Sequence, residues 1–249
     1  MKKLKVMLAL LITTVVFQYC TKTEEQNQLS YDAIKAAFGT NIDPNNLANY
    51  ANQLIPAYIR KDNTGSNAIS NAKATLGRVL FYDKNLSVDN TISCSSCHVQ
   101  AFAFGDTALA SDGVLGGLTG RHSMRLVNAR FAVESKFFWN ERAASLEAQT
   151  TQPVQDHAEM GFSGTSGRPA IDSLIRKLDA ISYYKELFLF VYGNNFITKQ
   201  RLQECLAQFV RSIQSFDSKY DAGRTQVAND NQPFPNFTAQ ENNGKNLFL

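Results

Sequence analysis

Two cysteines three positions apart, followed at once by a histidine, stand near the middle of the chain as Cys94-Ser95-Ser96-Cys97-His98. That spacing suits covalent attachment of a c-type haem. The two thiols can reach the two vinyl groups of one porphyrin, and the adjacent imidazole can turn beneath the ring to ligate iron. A redox Cys-x-x-Cys would call for a strand-helix-strand context, and a zinc site would call for a second Cys or His pair. Neither is legible in the sequence.

The elements around the motif read as mainly helical. Ser30 is placed to cap a helix through Phe38, with Gly39 as its C-terminal stop. Residues 60 to 66 form a Gly/Asn/Asp loop, and helical spacing of apolar residues then runs from Asn67 to Phe81. The stretch from Gln100 to Gly120 holds five glycines and little periodicity, so it reads as a long loop, of the kind that lines a functional pocket. Helical patterns return at 145–152, 171–178, 183–192 and most clearly 199–216, where Leu202, Leu206, Phe209, Val210 and Ile213 form one stripe. Thr238 with Glu241 makes a capping box for a helix from Ala239 to Leu249. Strand signals are scarce, and no short-period repeat is visible.

The N-terminus, Met-Lys-Lys-Leu-Lys followed by a short apolar run to Phe17, reads as a signal peptide over residues 1–19. The run falls short of the about 20 residues that span a bilayer. Cys20 stands where a lipoprotein signal places its acylated cysteine, and residues 20–29 suit a polar tether. The expected location is therefore periplasmic, either free or anchored by lipid at Cys20. Removing residues 1–19 takes away Lys2, Lys3 and Lys5, so the 25 basic residues fall to 22 and match the 22 acidic ones. Nothing in that balance, and no basic run, points to nucleic acid. Cys205 is left over in an apolar helix stripe and reads as a small buried hydrophobe.

Several blocks together resemble the bacterial di-haem cytochrome c peroxidase family, which includes the di-haem enzyme of methylamine utilisation. They are Leu76-Gly77-Arg78, Leu80-Phe81-Tyr82-Asp83, Leu86-Ser87, Thr91-Ile92-Ser93 with the haem motif, Leu126-Val127-Asn128-Ala129, Phe138-Trp139-Asn140-Glu141-Arg142-Ala143, Leu146-Glu147-Ala148-Gln149, Gln152-Pro153 and Glu159-Met160-Gly161. The resemblance implies a cytochrome c-like fold with a peroxidatic haem domain, here over residues 30–220, followed by an electron-transfer haem domain. Residues 221–249 would begin that second domain. Gly244-Lys245-Asn246-Leu247-Phe248 matches the pattern that precedes the first haem motif, Gly77-Arg78-Val79-Leu80-Phe81, so the sequence is expected to stop just before a second haem.

By position, the resemblance implies that Cys94, Cys97 and His98 bind haem, with His98 as proximal iron ligand, and that three residues serve peroxide chemistry. Glu159 would be the distal acid and base, Gln149 would orient peroxide or water, and Trp139 would relay an electron between haems. The chemistry supports a carboxylate here, because a partly desolvated acid can take a proton from one peroxide oxygen and give it to the other. The family's distal-blocking histidine would fall near Val114, so the distal face is expected to be open. His122 occupies the place of a family asparagine that helps bind calcium, which calls that ion into question. His122 reads as a loop histidine, with a flexible alternative iron ligand as the competing reading, and His157 reads as a surface residue or a neighbour that tunes Glu159. The implied activity is reduction of hydrogen peroxide with electrons from a small redox protein of cytochrome or cupredoxin type, with a homodimer as a possible assembly. The competing readings are an electron-carrier cytochrome, with Met160 or Met124 as sixth ligand, and a methylamine-utilisation-like oxidase acting on a protein substrate.

Overall fold

The computed structural model describes residues 30–132 and 136–249. The signal peptide, the tether and Cys20 lie outside the described residues. The haem motif lies in the compact unit Ala33–Leu249. In chain order the helices are α1 (Asp32–Phe38), α2 (Asn71–Tyr82), α3 (Cys94–Cys97), α4 (Leu146–Thr150), α5 (Gln152–Gln155), α6 (Ile171–Asp179), α7 (Ser182–Tyr192), α8 (Lys199–Ser212), α9 (Lys219–Arg224) and α10 (Ala239–Phe248). Among the described residues there are isolated β-bridges and no strand. The fold is mainly α, as expected.

The ends of these helices follow from their caps. Ser70 Oγ accepts the N–H of Lys73 at 3.2 Å, so α2 begins four residues later than its apolar spacing suggests. Thr198 Oγ1 accepts the N–H of Arg201 at 3.2 Å and starts α8 where expected, but Ile213 turns extended and ends the helix before Phe216. The segment 145–155 breaks into α4 and α5 at Thr151, with Pro153 at the start of the second. The capping box of Thr238 and Glu241 forms as expected.

The core is the crossing of α2 and α8. Gly77 lets them touch: a Cβ at Gly77 would lie 2.0 Å from the Cys205 carbonyl oxygen. Leu76, Leu80 and Phe81 from α2 pack with Leu202, Leu206, Phe209 and Val210 from α8, and Tyr184, Leu187 and Phe188 of α7 close the layer. Cys205 is fully buried. This crossing places Phe81 against both Phe104 and His98, at ring-centroid distances of 6.1 and 6.5 Å.

Arg211 is the unexpected core residue, 2 % exposed at the end of α8. Its guanidinium forks onto both oxygens of Glu147, the second at 3.1 Å, and donates to the side-chain and main-chain oxygens of Asn63, each at 3.1 Å. It thereby fixes α4, and Gln149 with it, to the core. Arg211→Lys keeps the charge but loses the planar fork. It is expected to lower the unfolding free energy by about 2 kcal/mol, the scale of hydrogen bonds to charged groups, read as a lower urea midpoint.

Candidate haem site

The motif forms the single turn of α3, which puts Cys94 and Cys97 on one face. Ser93 precedes it, and its N–H donates to Ser96 Oγ at 3.0 Å. His98 closes the turn with its N–H on the Cys94 carbonyl at 3.0 Å. Its ring is aimed by Nδ1, which lies 2.9 Å from the Phe104 carbonyl oxygen. A ring oriented through Nδ1 leaves Nε2 as the nitrogen that would ligate a metal, the arrangement of an oriented ligand. The carbonyl is delivered by a tight turn, in which Ala103 and Phe104 both take left-handed φ values of 57° and 55°. Val99 N–H to Gly105 O at 2.8 Å and Phe104 N–H to Val99 O at 3.0 Å hold that turn. Two such residues are costly outside glycine, and their clustering here serves the histidine.

The electrostatics suit attachment. Burial pushes the His98 imidazole down, against the opposing pull of the Phe104 and Met124 carbonyls, and so favours the neutral form that ligates metal. Burial pushes the Cys94 thiol up to about 12, and raises Cys97 as well. Both are free thiols. A dithiol redox centre needs a depressed thiolate pKa, which is the reverse of what stands here. A zinc site finds no support either, since no group of three Cys, His, Asp or Glu side chains able to hold a metal occurs among the described residues. Two free thiols on one face of a single helical turn and an adjacent imidazole oriented through Nδ1 fit a covalently held haem. Replacing both Cys94 and Cys97 with serine is expected to abolish haem staining of the denatured chain on a gel, whereas either single change leaves one thioether and a reduced stain.

Facing the motif is the turn 156–161. Asp156 Oδ1 accepts the N–H groups of Ala158 and Glu159 at 2.9 and 3.0 Å, and Gly161, with φ of 86°, returns its N–H to the Asp156 carbonyl at 2.8 Å. The glycine-containing loop is pinned onto this turn. Val114 N–H donates to Ala158 O at 3.0 Å, and Gly113 approaches so closely that a Cβ there would lie 2.0 Å from the same oxygen. Val114 itself is 1 % exposed. Where the blocking histidine would fall, a valine is packed into the wall.

Glu159 is half-buried, and burial together with the neighbouring Asp156 carboxylate raises its pKa, against the lowering pull of Arg142. Its charge in turn raises both Cys94 and Cys97, so the acid and the two attachment sulfurs share one electrostatic environment. Gln149 is half-buried in α4, and its amide has no hydrogen bond among the described residues. Trp139 lies at the surface, 60 % exposed, and its Nε1 donates to the His122 carbonyl at 2.9 Å. The His122 ring is held by the Ala108 carbonyl, 2.7 Å from Nδ1. His157 is exposed and sits 3.0 Å from Ser163 Oγ. Met160 is buried at the end of the turn.

Three participants were not singled out from the sequence. The Phe104 carbonyl carries no side-chain signal. Asp156 was discoverable, since Asp-x-x-Glu is a capping pattern. Arg142 lies over the Phe138 ring at 3.4 Å and donates to Gln152 Oε1 at 3.0 Å and Asn140 Oδ1 at 3.1 Å, a clamp visible only in three dimensions. The cleft of about 640 Å³ between the 62–67 loop and α4 and α8 is lined by Asn67, Lys73, Glu147 and Glu204 and includes no residue of the haem motif.

The sequence profile of the di-haem cytochrome c peroxidase family matches residues 71–229, and the chain belongs to that family. Among its relatives, the methylamine utilization protein MauG of Methylophilus methylotrophus is 32 % identical over 159 residues, covering 63 % of this chain and 44 % of that protein. The cytochrome c peroxidase Ccp of Escherichia coli (strain K12) is 31 % identical over 176 residues, covering 71 % of this chain and 35 % of that protein. A solved MauG-like protein associated with microbial copper homeostasis superposes with a TM-score of 0.66 at 29 % identity, over 80 % of this chain and 55 % of that one. The chain thus spans less than half the length of these two curated relatives. Membership makes this an oxidoreductase-family chain whose shared cofactor is haem.

Proposed function

We propose that residues 30–220 form a peroxide-handling haem domain, exported to the periplasm, that reduces hydrogen peroxide to water with electrons from a small cytochrome or cupredoxin. The observation that carries this reading is half-buried Glu159 fixed in the 156–161 turn by Asp156 Oδ1 and Val114, on the side of the motif where its charge acts on both cysteines. Haem, when attached at Cys94 and Cys97 and held by His98, supplies an iron that binds peroxide and accepts electrons singly. The chain supplies the rest. With haem held there, ionised Glu159 would take a proton from one peroxide oxygen and return it to the other, which would leave as water. Gln149 offers its unengaged amide to orient peroxide, and the indole of Trp139 passes electrons inward. Two electrons and two protons convert each peroxide to two waters. With Val114 packed where the family's blocking histidine would fall, the side facing Glu159 would be left open to peroxide.

The test is steady-state peroxide consumption by the haem-loaded chain with a reduced small cytochrome as donor. Turnover supports the proposal. A six-coordinate low-spin spectrum in both redox states with no peroxide reaction points instead to an electron carrier, for which the buried Met160 is the available sulfur. The 32 % identity to a methylamine utilization protein keeps oxidation of a protein substrate as the second reading, distinguished by peroxide-dependent oxidation of such a substrate without turnover of the small donor.

A further inference from the structure

Away from the distal wall, two adjacent tyrosines converge on one carboxylate oxygen. Tyr183 Oη donates to Asp83 Oδ2 at 2.6 Å and Tyr184 Oη donates to the same oxygen at 2.8 Å. Their ring centroids are 4.7 Å apart. Tyr184 is fully buried, whereas Tyr183 is half-buried, edge-on to Phe38 at 5.0 Å, and also receives Asn85 Nδ2 at 3.3 Å. The carboxylate they share stands two residues beyond Phe81, whose ring centroid lies 6.5 Å from that of His98. Asp83 is fixed on both sides: it ends α2, and its other oxygen accepts the Asn85 N–H at 2.8 Å.

A tie between α2 and α7 would need one phenol. Two on one acceptor, one fully buried and one half-buried, have the geometry of a two-step relay with a shared proton acceptor. We infer that Tyr184 and Tyr183 carry electrons from the α7 surface to the haem edge, with Asp83 Oδ2 holding the proton that each phenol releases. The inference rests on the haem reading above, with an oxidising equivalent on the haem as the oxidant. Tyr184 gives one electron to the haem and its proton to Asp83. Tyr183 then gives one electron to the Tyr184 radical, which recovers the proton from Asp83, while the Tyr183 proton takes its place on the same oxygen. An external one-electron donor reduces the Tyr183 radical, and the proton returns from Asp83. Each transfer moves one electron inward and leaves both phenols intact. Phenol oxidation requires loss of the proton, and here the acceptor is within hydrogen-bond distance at every step. The route uses neither Trp139 nor Glu159.

The test is rapid-freeze electron paramagnetic resonance of the full haem-loaded chain, oxidised in one arm by hydrogen peroxide and in the other by photochemical flash-quench of the haem. The second arm keeps the relay testable if peroxide does not react, so that failure of the peroxidase reading and failure of the relay are separable. The expected result is an organic radical whose lines narrow when the protein is grown on ring-deuterated tyrosine, and which is lost in Tyr184→Phe. In Tyr183→Phe the radical persists but becomes insensitive to an added surface donor such as ascorbate. Both changes leave Glu159 and the haem spectrum untouched. If Tyr184→Phe does not fold, Tyr183→Phe and Asp83→Asn carry the test. A radical that is unchanged in these variants, that narrows only with deuterated tryptophan, or that is absent from both arms would overturn the relay.

Discussion

Replacing Glu159 with glutamine is expected to slow peroxide turnover by on the order of 10² to 10⁴-fold, the usual worth of a positioned acid and base, while the haem spectrum stays that of the parent. Glutamine keeps the volume and the backbone capped by Asp156, so the change removes the proton carrier and little else. The same group should set the pH profile. Glu159 must be ionised to accept the peroxide proton, so turnover falls on the acid side as pH drops through its pKa. Burial and the Asp156 charge place that fall above the usual carboxylate range. Asp156→Asn removes the like charge while its amide oxygen can still accept the N–H groups of Ala158 and Glu159. The acid limb is then expected to move to lower pH. Arg142→Gln removes a cation that favours the ionised form, and should move it the other way. Rates in a series of buffers, with the donor saturating, check both signs.

The second large effect concerns the frame. Gly77→Ala is expected to destabilise the chain by about 3 kcal/mol, the upper end of what overpacking a core costs. The new methyl would meet the Cys205 carbonyl oxygen at 2.0 Å, its carbon at 2.6 Å and Phe209 Cβ at 2.9 Å. Backbone atoms in the middle of α8 cannot step aside as a flexible side chain would, so the two central helices must part. Phe81, one turn along α2, would then loosen against His98. Gly244→Ala in α10 is the matched control. Nothing lies within 4 Å of a Cβ there, so it should raise stability by up to about 1 kcal/mol through helix propensity alone. Urea unfolding of both variants reads the opposite signs.

The helical class, the start of α8 and the capping box of α10 could be read from the sequence because each depends on residues close together in the chain. Periodicity carried α6, α7 and α8 nearly to their ends. What escaped was long-range. The apolar stripe of α8 is plain, but Arg211 inside it is buried only because Glu147 and Asn63, 64 and 148 positions away, satisfy its guanidinium. The break at Thr151 was legible in Pro153, yet helical spacing across 145–152 concealed it. Asp83 was visible as a block residue, but its two phenols arrive from 100 and 101 positions downstream. The resemblance proposes Glu159 and Gln149 by position alone, while the carbonyl beside His98 and the guanidinium beside Glu159 required coordinates. Trp139, the chain's one tryptophan, stands at the surface rather than in the core.

The most direct test of a peroxide-reactive haem on Cys94, Cys97 and His98 is stopped-flow absorption of the haem-loaded chain on mixing with hydrogen peroxide. The expected result is a change in the haem bands at a rate proportional to peroxide concentration, starting from a spectrum with an open iron position, and suppressed in Glu159→Gln. A haem that is already closed on both faces in both redox states, and whose bands do not move when peroxide is added, would contradict it.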